Sequence, residues 1–303
     1  PGGAPWDLVG SAQILVGLTA LVFAIKELAR QDFAPWRALL ALALGAAFGW
    51  AYLRRQRARP QPLLDLTLFR LPDFTGAFAA ACLGTAGMVG MELALSQYLQ
   101  LVEQRSALGA ALVVLPAAVA GLIAGPLAGR MMRRVRPARL ASLAFALAAA
   151  CAVALALLPG AGLAWPLARL LLIGGIGLGI GASVTFASST IMNAAPPGRG
   201  GMAASIEEVG FEFGNALGVA VFGSVMTLAY SLAIAPADAA AALPVVVRDS
   251  LDEALRVADG LANAEADALR VAARSAFASA LQATLLGVAA LWLVTAVVIR
   301  RKR

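Results

Sequence analysis

A succession of long apolar runs separated by short polar connections sets the boundaries of what this chain can become. A helix needs ~20 mostly apolar residues to cross the hydrocarbon core of a bilayer, where only helices and closed barrels satisfy their own backbone. Runs of that kind lie near 8–28, 38–53, 74–102, 108–131, 138–158, 164–192, 202–235 and 275–299, the second being the shortest. Hydrophobic residues make up 61% of the 303 positions and charged residues 14%, more apolar side chain than a soluble core encloses. The expected fold is therefore an all-α integral membrane protein of about eight transmembrane helices.

The formal charge of +7 does not point to nucleic acid, because no aromatic-interleaved basic strip accompanies it. The basic residues instead collect at alternate connections. Arg54, Arg55, Arg57, Arg59 and Arg70 follow the second run, and Arg130, Arg133, Arg134, Arg136 and Arg139 follow the fourth. Arg199 follows the sixth, and Arg300, Arg301, Lys302 and Arg303 close the eighth. Positive residues near helix ends mark the cytoplasmic side, so both termini of this segment are expected there. The opposite connections hold Lys26 to Arg37, Glu103 with Arg105, an uncharged stretch at 159–166, and a long acidic-leaning stretch at 236–270. In that last stretch 247–257 and 262–271 repeat apolar residues at helical spacing with Gly260 between them. They read as an amphipathic helical hairpin outside the membrane, the alternative being a solvated, partly disordered loop.

The chain contains no histidine and two cysteines, Cys82 and Cys151, both inside apolar runs. A zinc site or a histidine-dependent nucleophile lacks its parts, so no metal, no cofactor and no enzymatic activity are expected. The cysteines read as small hydrophobes.

The seventh run carries Glu207, Glu208 and Glu212 in an otherwise apolar helix. A charged carboxylate at mid-bilayer costs roughly 2.5 to 3.5 kcal/mol on insertion scales, which makes intramembrane acids functional candidates. Glu207 lies near the cytoplasmic end and could snorkel to water. At 100° per residue, Glu208, Glu212 and Asn215 share one stripe, and Gly210, Gly214 and Gly218 form a ridge nearly opposite. The ridge permits close approach of a neighbouring helix, and the polar stripe must face a cavity or a polar partner. A carboxyl group in a water-accessible cavity can hold a proton or a cation, and the two compete for one site. That competition is the chemistry of antiport.

Glu92 in the third run is a second intramembrane acid, read either as part of a cation site or as a packing hydrogen bond between helices. Arg169 reads as snorkelling at the end of the sixth helix, with pairing to an acid as the alternative. The run Gly174, Gly175, Gly177, Gly179 and Gly181 lacks the preceding strand and Lys-Ser/Thr ending of a phosphate loop, so close helix packing is expected. Trp36, Trp50, Trp165 and Trp292 read as interface anchors or lipid-facing bulk.

Several motifs resemble the fourteen-helix drug:proton antiporter family of the major facilitator superfamily. They are Leu63-Leu64-Asp65-Leu66 with Leu68-Phe69-Arg70, then Tyr98-Leu99-Gln100-Leu101-Val102 with Leu115-Pro116 downstream. The stretch SIEEVGFEFGNALGVAVFGS at 205–224 resembles the quaternary-ammonium and methyl viologen exporter branch, in which this helix carries paired acids and a third acid one turn on. Gly125-Pro126-Leu127-Ala128-Gly129-Arg130 resembles the family's loop motif between paired helices, with Gly129 in place of the usual aspartate. That resemblance implies a gating role for Gly125 and Arg130. The opening Pro5-Trp6-Asp7 resembles the entrance to the family's two linker helices.

The resemblance covers essentially the whole chain and maps to family helices seven to fourteen. It implies two linker helices and their cytoplasmic connection at 1–73, then a C-terminal six-helix bundle at 74–303 with an extracytoplasmic hairpin at about 236–274. It also implies an N-terminal six-helix half beyond this sequence, which reads as cut from something longer. The expected function is secondary active multidrug efflux from the bacterial inner membrane, exporting lipophilic, often cationic compounds in exchange for protons. Glu207, Glu208, Glu212, Asn215 and Glu92 would carry binding and coupling. Export of a metabolite or lipid-like solute, and a truncated non-transporting remnant, stay open. The expected partners are protons, lipophilic cations, membrane lipids and the absent half.

Overall fold

The computed structural model describes residues 7–28, 34–58, 66–158, 166–195, 199–235 and 245–301. Pro5, Trp6, Arg59, the motif residues 63–65, Trp165, Lys302, Arg303, the uncharged connection at 159–165 and the start of the hairpin stretch at 236–244 lie outside them. Among the described residues all regular structure is helical. The helices are α1 (Leu8–Leu28), α2 (Pro35–Ala58), α3 (Pro72–Gln97), α4 (Ala107–Met131) and α5 (Pro137–Leu157). They continue with α6 (Pro166–Ala194), α7 (Gly200–Ile234), α8 (Leu251–Ala258) and α9 (Asn263–Arg301). All but α8 are long and apolar enough to cross a membrane, giving eight candidate spans.

Proline opens α3 and α5, where its missing amide hydrogen would have no intrahelical partner. A π-helical turn at Tyr98–Val102 extends α3. Gln104 then turns left-handed, with φ of 54°, to send the chain into α4. There the Ser106 side chain accepts a hydrogen bond from the Gly109 amide at 3.1 Å.

Helices α1 and α2 pack on each other through small residues: a Cβ at Gly45 would stand 3.2 Å from the Gly17 carbonyl oxygen. An ion pair pins each end of this hairpin, Arg55 to Asp7 at 3.0 Å and Arg37 to Glu27 at 3.8 Å. The remaining membrane helices form a second assembly: α3 lies against α7, α6 against α4 and α5, and α9 against α3, α5 and α7. Helix α1 also touches α7.

The glycine run of α6 serves two neighbours at once. Gly177 and Gly181 leave no room for a Cβ against Ala117 and Gly121 of α4, and Gly175 and Gly179 do the same against Cys151 and Ala144 of α5. The run is a packing device, as expected. Spacings of four residues place each glycine pair on one helix face.

Two expectations need correction. Trp292 is neither an interface anchor nor lipid-facing. It is fully buried, and its indole fills the space that a Cβ on Gly87 would occupy. Trp36 and Trp50 are exposed, with Arg37 and Arg54 over their rings at 5.4 and 5.3 Å.

The hairpin also differs from the reading. Its first arm is α8, opened by Ser250, whose side chain accepts from the Glu253 amide at 3.3 Å in a Ser-x-x-Glu start. The second arm is not a separate helix but the first turns of α9, which runs unbroken for 39 residues. No glycine or proline interrupts 264–286, and its alanine-rich composition favours continuous helix. Arg270 ties the arms together by pairing with Asp259 at 2.7 Å, and Tyr230 of α7 donates to the Val247 carbonyl at 3.2 Å.

Candidate functional site

Helix α7 presents two opposed faces. On one, Gly210, Gly214 and Gly218 are buried against α3. A Cβ on Gly214 would meet the Cys82 carbonyl oxygen, one on Gly218 the Ala86 carbonyl oxygen, and one on Gly210 would stand 3.1 Å from the Phe78 ring. On the other, Glu208 and Glu212 are exposed and Asn215 is half-buried. The helix thus seats its smooth side in the bundle and turns its polar stripe away from it. Glu207 departs from the reading: it does not snorkel but is buried, with 8% of its surface exposed.

The glycine contacts fix the register of α3 and α7. Phe78 meets Gly210, Cys82 meets Gly214, Ala86 meets Gly218 and Gly90 meets Phe222, so the two helices run parallel with a constant offset. Glu92 then lies level with Ser224. At 1.5 Å of rise per residue this is ~18 Å along the axis from Glu212. The structure brings Glu208, Glu212 and Asn215 together on one face and leaves Glu92, itself half-buried, at a different depth.

A cavity of about 690 Å³ lies between α3, α7, α8 and the end of α1, lined by Gly90 and Leu93 on either side of Glu92. Lys26, Gln97, Thr227, Tyr230, Asp249 and Asp252 are among its lining residues. None of Glu92, Glu208, Glu212 and Asn215 lines it.

Gly125 and Arg130 fall inside the last turns of α4 rather than in a loop, because Gly125–Arg130 continues the apolar helix to Met131. Gly125 approaches Thr185 of α6, with 3.6 Å from a built Cβ to the hydroxyl, and Arg130 is exposed.

Of the two expectations for Arg169, pairing with an acid is the one the structure shows. Arg169 does not snorkel: it is 4% exposed, and its Nη1 pairs with Glu103 Oε1 at 2.7 Å. Glu103 Oε2 accepts from Arg105 Nε, also at 2.7 Å. One carboxylate thereby joins the turn after α3 to the start of α6. Removing one partner of such a buried pair generally costs roughly 3 to 5 kcal/mol, so the cluster reads as a structural tie. Glu103 beside Arg105 was visible in the sequence, but a partner 66 residues away was not.

A family model for the Major Facilitator Superfamily matches residues 4–219. The chain belongs to the Major Facilitator Superfamily. It is a multi-pass membrane protein with several transmembrane helices. It is 31% identical over 302 residues to the multidrug efflux pump LfrA of Mycolicibacterium smegmatis, covering 99% of this chain and 59% of that protein. It is 28% identical over 274 residues to the methyl viologen resistance protein SmvA of Salmonella typhimurium, covering 90% of this chain and 55% of that one. The chain therefore spans somewhat more than half the length of these relatives. Among solved structures, a bacterial homologue of the human lysosomal transporter Spinster, inward-facing and unoccupied, superposes with a TM-score of 0.53 at 16% identity. That match covers 97% of this chain and 69% of the other. At this identity the likeness speaks to the fold of this facilitator chain alone.

Proposed function

We propose that this chain is the C-terminal part of a proton-coupled multidrug exporter, corresponding to helices seven to fourteen of a fourteen-helix transporter. In this reading α1 and α2 are the linker pair, α3 to α7 with α9 form the C-terminal bundle, and the arginine-rich helix ends face the cytoplasm of a bacterial cell. The observation that carries it is the stripe on the face of α7 opposite its glycine seat, where Glu208 and Glu212 are exposed and Asn215 is half-buried. Carboxylates do not face lipid without a large cost. A stripe directed away from its own bundle suits the cavity between two transporter halves, where alternating access exposes a midplane site to each side in turn. The names of LfrA and SmvA, a multidrug efflux pump and a methyl viologen resistance protein, support lipophilic cations as cargo. A proton on these carboxyl groups and a cation beside them would exclude one another, which couples outward cation movement to inward proton movement.

The test is cysteine accessibility in a protein otherwise free of cysteine. Glu208→Cys and Glu212→Cys are expected to react with a membrane-impermeant maleimide, and Ile206→Cys, fully buried on the same helix, is not. A quaternary ammonium compound should slow the first two reactions. Unreactive stripe positions, or reaction rates indifferent to the cation, would remove the binding cavity from this face.

A further inference from the structure

The exporter reading leaves the arginine-rich end of the bundle unexplained beyond its value as a topological signal. A cavity of about 400 Å³ opens there between the first turns of α5 and the last turn of α9. Three of its lining residues are arginines, Arg136 and Arg139 from α5 and Arg300 from α9, with Ser142 and Leu143 at its floor. All three arginines are exposed, no acidic residue lines the cavity, and no ion pair engages them among the described residues. Ser142 donates to the Ala296 carbonyl at 2.9 Å, so the floor is held by a bond between the two helices.

Both helices continue from the arginines into exposed apolar stripes. On α5, Arg139, Leu143 and Leu147 follow one another at four-residue spacing and all are exposed. On α9, Arg300, Val297 and Leu293 share a face at three- and four-residue spacing and are exposed as well. Such spacing puts each set on one side of its helix. Each stripe therefore carries a guanidinium at the level of lipid headgroups and apolar side chains at the level of acyl chains. The start of α5 adds the partial positive charge of a helix N-terminus.

We infer that this pocket binds an anionic phospholipid, its phosphate held by Arg136, Arg139 and Arg300 and its acyl chains lying along the stripes of α5 and α9. Guanidinium groups donate paired hydrogen bonds to phosphate oxygens, and basic pockets between membrane helices suit anionic headgroups. Three cations without a carboxylate favour a lipid with net negative charge over a zwitterionic one, whose ammonium group would find no partner here. The apolar stripes favour a lipid over free phosphate. This inference does not depend on the transport reading.

The test is native mass spectrometry of the purified protein in detergent, titrated with phosphatidylglycerol, phosphatidylethanolamine or inorganic phosphate, with thermal unfolding followed in parallel. Phosphatidylglycerol adducts are expected to survive gas-phase activation and to raise the melting temperature, while the other two have little effect. Arg136→Gln/Arg139→Gln/Arg300→Gln should weaken adduct formation about tenfold or more. Arg133→Gln/Arg134→Gln, which removes charge at the same end but outside the pocket, should leave it unchanged. Arg300→Gln alone reads the site without disturbing the first turn of α5 and should weaken binding severalfold. Adducts that persist in both pocket variants, or fall equally in the Arg133 and Arg134 variant, would overturn the site. Equal binding of phosphatidylethanolamine, or full stabilisation by inorganic phosphate, would overturn the lipid assignment.

Discussion

Replacing Gly214 or Gly218 by leucine is expected to destabilise the bundle severely, measured as a large fall in the melting temperature and a smaller monodisperse peak in detergent. Besides the Thr85 hydroxyl at Gly214, the atoms in the way are the carbonyl oxygens of Cys82 and Ala86. The two carbonyls belong to the α3 backbone and cannot rotate aside as a side-chain tip can. Overpacking a core generally costs about 1 to 3 kcal/mol, and a leucine that must separate two helix backbones lies at or beyond the upper end of that range. Alanine gives a sharper sign test. In a helix interior alanine is ordinarily better than glycine by about 1 kcal/mol, so Gly218→Ala should stabilise α7 if the ridge were open. The account predicts destabilisation instead. Gly200→Ala and Gly201→Ala, at positions on the same helix with nothing within 4 Å of a built Cβ, should be neutral or slightly stabilising. A melting temperature unchanged by Gly218→Ala would mean that α3 and α7 do not pack at this distance.

The second large effect is functional. In the full-length transporter, Glu208→Gln and Glu212→Gln are expected to reduce export of quaternary ammonium compounds by about tenfold to a hundredfold, the equivalent of losing an interaction of roughly 1.5 to 3 kcal/mol with a charged group. Both side chains are exposed in this chain, so the changes should leave stability within about 0.5 kcal/mol and protein levels normal. Neutral drugs should lose less, because glutamine keeps the polar surface and removes only the charge. Equal loss for cations and neutral drugs would assign these residues to general coupling. Glu92→Gln should act separately, since the α3–α7 register sets it at another depth. A combined Glu92 and Glu212 variant is expected to show additive effects, as sites without shared partners do.

The membrane helices were legible because the bilayer demands a long apolar run, and α1 begins and ends where its run does. The role of glycine was legible too, since a row of small residues at three- and four-residue spacing has meaning only if something packs on it. What could not be read was which apolar face meets protein and which meets lipid. Both environments accept the same side chains, and for that reason Trp292 read as a surface residue and proved to be buried. The Arg169–Glu103 pair and the depth of Glu92 depend on which helices become neighbours, a property of the fold rather than of any local spacing. The unbroken α9 was missed for a simpler reason: the break at Gly260 is real, but nothing in 264–286 ends the helix that follows it.

Exchange of a proton for a cation at Glu208 and Glu212 is the central claim, and proton release tests it most directly. Purified full-length protein in weakly buffered detergent solution would receive a quaternary ammonium compound while the pH is followed, for the wild type and for Glu208→Gln/Glu212→Gln. The account predicts substrate-dependent proton release from the wild type and none from the variant. Cation binding without proton release in the wild type, or undiminished release in the variant, would contradict it.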